Sequence, residues 1–329
     1  MTANGDPARI LGQYESYPYP SLPEDGKRYS ELANLVRLFE MECGYTFANK
    51  RILDVGTGTG LRLLELASTY PNNEYLGIDF SEPSIQYAEM AKKSYDDTSV
   101  SFRAIDAAKL NTQEFGQYDF IFCMGVLHHL ENPRELLTTL SRLTTKNGAI
   151  FFYVYGEYGS AERMKRKRFL THFHGEDATH AKIAMAKTMG FTDFPYGWEL
   201  RNQQDVDAMI VDAYINNYEV LYTLEKIHDI IPHDEFSTWI PFGFALENNG
   251  VLVESRLSND NKLPLPRATP EKFLTSLDLR ERYAALPKRQ QLLLLEDWFQ
   301  PSGYTVLLQG GDFLSQLGNP RRLSENTWE

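Results

Sequence analysis

The chain has 329 residues, is 42% hydrophobic and 24% charged, and carries a formal net charge of −12. That length suits one large domain with additions, or two domains, rather than a minimal core. The negative balance excludes generic binding to nucleic acid or to an anionic membrane, since both need a positive surface. Two cysteines, a polar N-terminus and no apolar run of membrane-spanning length predict a reducing, cytoplasmic setting without a membrane contact.

Residues 1–28 form a polar arm containing QYESYPYPSLPEDG, where three prolines exclude a helix. The arm reads as an extended strap or as a lid, to which Tyr14 and Tyr19 would bring ring and hydroxyl. Leu32, Leu35, Val36 and Phe39 then make a helical stripe. RILDVGTGTGLRLL, residues 51–64, follows: an apolar strand, three glycines at alternate positions and an apolar-periodic helix. Glycines serve where backbone must approach a ligand or φ must be positive. The helix start beyond them offers free N–H groups.

A second strand ends at Asp79, 19 residues after Gly60, where an acid can accept two ribose hydroxyls. Ser81 and Pro83 mark a helix start. A third strand, Val100 to Ala104, leads to Asp106. Phe120 to Cys123 is a fourth, apolar strand, in which Cys123 reads as a buried thiol. A helix opens at Asn132 and Pro133, presents Leu136, Leu137, Leu140 and Leu143 on one face, and is expected to stop at Gly148. Ile150 to Val154 is the fifth strand. Alternating strand and helix predicts a parallel sheet with ligands at the strand carboxyl ends.

The GxGxG turn two residues after Asp54, with Asp79, Asp106 and the VLHHLENP segment, resembles the class I S-adenosylmethionine (SAM) dependent methyltransferases of small-molecule type. The resemblance covers residues 51–155 well and 240–310 loosely. It implies a doubly wound α/β fold with a mostly parallel, seven-stranded sheet and SAM as cofactor. It implies a donor site of Asp54, Gly56, Thr57, Gly58, Gly60, Asp79, Phe80, Asp106, Ala107, Cys123 and Met124. In the resembled family the acid after the third strand, here Asp106, holds the adenine amino group.

Residues 157–239 are polar, aromatic and helix-patterned, and read as a helical cap on the substrate side, inserted after the fifth strand. Tyr155, Tyr214 and Tyr218 are candidate acceptor contacts, although core packing would explain any of them. The basic run from Arg163 to Arg168 is either a solvated face or a patch that draws in an acidic substrate. His172, His174, His180 and Asp177 are ligand types, but Asp177 also suits a helix cap, and no metal is expected. Residues 240–249 read as a helix ending at Gly250, and two last strands follow, Val251–Glu254 and Tyr304–Leu308. The organisation expected is therefore an arm (1–28), a SAM-binding core (29–156), a cap (157–239) and a C-terminal part completing the sheet (240–329).

A sulfonium methyl is already activated, so placing the nucleophile in line with it is the dominant requirement. A general base is optional, and His128 or His129 is the candidate because imidazole titrates near neutrality. The expected function is methylation of a small molecule. Methylation of a protein or peptide, another group transfer on the same fold, and SAM binding without turnover are the rival readings.

Overall fold

The computed structural model describes residues 12, 16–17, 29–95, 99–176, 178–192, 203–216, 218–236, 238–246, 250–257 and 266–328. Tyr14, Tyr19 and Asp177 lie outside the described residues.

Five parallel strands form one half of the sheet: β1 (Arg51–Val55), β2 (Glu74–Asp79), β3 (Val100–Ala104), β4 (Tyr118–Met124) and β5 (Thr144–Tyr155). The other half holds β6 (Thr238–Ala245), β7 (Gly250–Val253), β8 (Arg267–Ala268) and β9 (Gly303–Gln309). The order is β3-β2-β1-β4-β5-β9-β6-β7-β8, so the chain reverses direction on either side of β1. β9 lies antiparallel between β5 and β6. The sheet thus has nine strands where seven were expected.

Two of the differences have a plain local cause. TWIPFGFA is a strand, β6, where a helix was expected over 240–249. Its aromatic and β-branched residues favour a pleated surface, and Pro241 and Gly243 disfavour a helix. The register shifts between those two residues, so the proline sits at an irregularity of the ladder. The helix opened by Pro133 ends at Leu143, not at Gly148. Gly148 belongs to β5, where a Cβ would approach the Asp119 carbonyl to 2.9 Å.

Both faces of the sheet are covered. β4 shows why: Phe120 and Phe122 enter one core and Ile121 and Cys123 the other. The first core is closed by α1 (Glu31–Cys43), α2 (Leu61–Thr69) and α3 (Glu82–Lys92). The second is closed by α4 (Pro133–Leu143) and by two later helices, Leu224–Ile230 and Lys288–Phe299. The four leucines of α4 are all buried, each worth about 1.5–3 kcal/mol of burial.

The cap leaves the sheet after β5 and returns beside its own point of departure. Gly156 and Tyr222 form a parallel bridge, and the Tyr222 N–H donates to the Tyr155 carbonyl at 2.9 Å. Between them lie α5 (Ala161–His174), α6 (Thr179–Thr188), α7 (Gln203–Ile210) and a π-helical turn, Val211–Ile215. These pack a small core of their own, with Leu170, Ile183, Ile210 and Tyr214 among its members. No described helix is long and apolar enough to cross a membrane.

Candidate active site

Three elements meet at the carboxyl ends of β1, β2 and β4. The glycine turn after β1 has Gly56, Gly58 and Gly60 all at positive φ. At Gly56 an added Cβ would fall 2.3 Å from Cγ2 of Val126, and at Gly60 it would meet the Phe102 ring at 2.7 Å. Only glycine meets both demands there. The turn is held by Asp79: its Oδ2 accepts the Gly58 N–H and its Oδ1 accepts the Ser81 N–H, each at 2.9 Å.

Asp54 and Asp79 are both buried. Burial pushes the Asp54 carboxyl up to about 6, and Asp79 adds to the rise while Arg62 opposes it. Burial also raises Asp79, against the backbone N–H groups that it accepts. Asp106 is exposed and caps the short turn Ala107–Lys109, accepting the Ala108 N–H at 3.0 Å. Phe80 is 43% exposed at the rim, and Met124 ends β4 half-buried. The Cys123 side chain is packed in the second core, and burial raises its thiol far above the usual range.

His128 and His129 follow β4 in the 3-10 turn Leu127–His129. Their surroundings differ. The His129 Nδ1–H donates to the Tyr218 carbonyl at 2.9 Å, which leaves Nε2 to accept from Asn216 Nδ2 at 3.2 Å. Both of its nitrogens are thereby used. His128 is 0% exposed, and neither of its ring nitrogens has a hydrogen-bond partner among the described residues. Burial, then His129, Arg163 and Lys167, hold His128 well below the usual imidazole value. Burial lowers His129 too, against Tyr218, Asp212 and Glu219.

The cap supplies the remaining groups. The Tyr155 hydroxyl donates to Asp212 at 3.0 Å, and the Tyr155 ring faces His128. Tyr218 contributes its backbone carbonyl to His129. Tyr214 is buried in the cap core and its hydroxyl accepts from Arg166 at 3.2 Å, so it is packing before it is lining. Glu219, Asp212 and Asn216 escaped the sequence reading, because nothing in their spacing links them to His129 or Arg163. The signal for Arg163, Arg166 and Lys167 was present in their i, i+3, i+4 spacing, which sets one face of a helix. No described group of three His, Cys, Asp or Glu side chains gathers as a metal site.

A family model described as a methyltransferase domain matches residues 46–210, half of the chain. The chain belongs to that family, the class I SAM-dependent methyltransferases. An uncharacterised protein of Synechococcus sp. is 28% identical to this methyltransferase over 309 residues, 87% of this chain and 67% of the relative. The ubiquinone biosynthesis O-methyltransferase of Bordetella avium is 30% identical over 131 residues, 40% of this chain and 53% of that protein. Among solved structures, PKMT2 from Rickettsia typhi shares the fold with a TM-score of 0.60 at 17% identity, over 84% of this chain and 52% of that one. The methyltransferase described here thus spans about half the length of these last two relatives.

The residues present fit SAM as the cofactor. An ionised carboxylate has about four acceptor positions, and Asp79 spends one on each oxygen to brace the turn. The Phe80 N–H draws on the same carboxylate, and the capacity left over would serve a ribose. Asp54 is a buried carboxylate whose ionised form a ligand cation would stabilise. Gly125, at positive φ beyond β4, has nothing within 4 Å of its missing Cβ, which leaves space over the strand ends.

Proposed function

We propose that this methyltransferase methylates a small molecule enclosed beneath its cap, and that His128 takes the acceptor's proton. One observation carries the reading. A wholly buried imidazole, two residues after the Val126 that abuts the donor turn, has both nitrogens unpartnered among the described residues. Buried polar atoms without partners are uncommon and ask for an explanation. A polar ligand at that point would supply one.

SAM, when bound, brings a methyl on a sulfonium that is already open to attack. Asp79 would orient the ribose and Asp54 would face the cation of the amino-acid end. Asp106 would take the adenine edge at the open rim, beside Ala107 and Phe80. The cap and Tyr155 would hold the acceptor in line and exclude water. Such positioning is worth up to ~7–11 kcal/mol, against ~10²–10⁴-fold for the base. The burial of His128 and His129 under the cap favours an acceptor small enough to be enclosed.

Two steps test the reading. Calorimetric titration with SAM and with S-adenosylhomocysteine should show binding, weakened about tenfold or more in Asp79→Ala. Methyl-labelled SAM should then be incubated with separated metabolite and protein fractions. Label in the low-mass fraction supports the proposal. Label confined to protein would replace it with a peptide acceptor. Tight binding without label in either fraction would leave a binding protein.

A further inference from the structure

The basic run of the cap does not face solvent as a whole. Lys165 is 70% exposed, but Arg163, Arg166 and Lys167 retain only 20%, 19% and 17%. Glu219, 2% exposed, takes Lys167 Nζ at 2.5 Å and Arg163 Nη1 at 2.8 Å. Arg166 donates to the Tyr214 hydroxyl and meets the surface carboxylate Glu162 at 3.3 Å. The second inward carboxylate, Asp212, accepts from Tyr155. Arg163 and Lys167 therefore share Glu219, while Arg166 divides itself between Tyr214 and Glu162.

The Arg163 guanidinium carbon stands 4.6 Å from the centre of the Tyr155 ring. Its Nη2 is buried and has no hydrogen-bond partner among the described residues. The same ring carries the unpartnered His128 at 4.1 Å. An orphan donor and an orphan imidazole are thus gathered around one aromatic plane. Leaving a buried charged donor unpaired is costly, and an arginine nitrogen recognises an oxyanion with a strong, directed hydrogen bond.

We propose that the acceptor is a hydroxy acid: its carboxylate takes Arg163 Nη2, and its hydroxyl faces His128 across the Tyr155 ring. This rests on the reading of the site given above. The acceptor oxygen bonds to the methyl carbon, and the carbon–sulfur pair stays on sulfur as S-adenosylhomocysteine. The hydroxyl proton passes to a His128 nitrogen. The product is a methyl ether that keeps its carboxylate. Glu219 is a positioning residue, holding Arg163 and Lys167 in place.

The test uses the full chain loaded with S-adenosylhomocysteine, titrated with 3-hydroxybenzoate and 4-hydroxybenzoate and with the matching carboxamides. At least one acid should bind ten times or more tighter than its amide. Arg163→Gln should erase that preference, and Arg163→Lys should restore part of it. Equal binding of acid and amide, or binding of neither acid, overturns the proposal while leaving the donor site intact. Loss of S-adenosylhomocysteine binding in the wild type would instead sink the reading on which it rests. Should Arg163→Gln fail to fold, the acid–amide comparison in the wild type decides alone.

Discussion

The imidazole of His128 lies 4.1 Å, centroid to centroid, from the phenol ring of Tyr155, tilted by 33°. One residue follows β4 and the other ends β5, so the parallel pairing of these strands sets their separation. Burial keeps His128 neutral well below the usual imidazole range. A lowered imidazole is protonated only at correspondingly lower pH, so the base form persists into mildly acid solution. The acid limb of kcat is therefore expected below pH 6.5. His128→Gln should lower kcat by ~10²–10⁴-fold, abolish that limb and leave SAM affinity unchanged. A variant turning over at nearly the wild-type rate would remove His128 from the mechanism.

Asp54 carries opposite consequences for the empty and the loaded protein. Its folded value of about 6 exceeds the ordinary 3.8. Folded protein thus binds the proton more readily than unfolded chain. The stability of the empty protein should rise as pH falls through 6 and level off near 4. The difference amounts to about 3 kcal/mol at most. Asp54→Asn should therefore melt higher than wild type at pH 7 when empty, yet bind SAM more weakly. Melting curves with and without cofactor check both halves. A lower melting point for the empty variant would mean that Asp54 is already paid for by partners in the fold.

The first half of the molecule was legible because its signals are local. β1 and β4 carry short apolar runs closed by a turn, and the glycine spacing marks the turn after β1. Asp54, Asp79 and the strand ends could be placed from chain order alone. β6 was not legible: its apolar run is joined to ALENNG, which reads as helix in isolation, and only pairing with β9 sixty residues later decides the matter. His128 and His129 looked equivalent for the same reason. What separates them is Asn216 and Tyr218, whose contacts depend on the cap folding back over β4. Asp106 follows β3 as a turn cap, and its exposure could not be read from its neighbours.

Gly56 offers a paired test of the donor turn. Gly56→Ala would put a methyl 2.3 Å from Val126 Cγ2 at a φ of 71°. The clash and the backbone strain should together cost about 2–4 kcal/mol and weaken SAM binding. Adding Val126→Ala removes the clash but not the strain. The double variant should recover about half of the loss beyond additivity, which denaturant titration can resolve. Strict additivity would show that the turn moves away from Val126 rather than meeting it.

Glu296 links the root of the cap to the sheet. It is buried, and its Oε1 accepts the Tyr304 hydroxyl at 2.5 Å and the Leu224 N–H at 2.7 Å. Leu224 opens the helix Leu224–Ile230 that follows the cap's return. Burial raises the carboxyl to about 7 from its ordinary 4.5, and Asp297 and Glu225 add to the rise. The sign is that of Asp54: the charged form is disfavoured by folding, so its cost is present above pH 7 and relieved below. Glu296→Gln keeps an acceptor oxygen without the charge. It should gain stability relative to wild type at pH 8, and that gain should shrink as pH falls through 7 and vanish only near 4.5. Glu296→Ala leaves the Tyr304 hydroxyl and the Leu224 N–H unpaired, at about 1–3 kcal/mol each. It should be destabilised at both values, and the unpinned cap should raise KM for the acceptor more than it lowers SAM affinity. Denaturant midpoints at pH 6 and pH 8 separate the two variants, and a pH-independent difference between wild type and Glu296→Gln would show that the carboxyl does not titrate between those values.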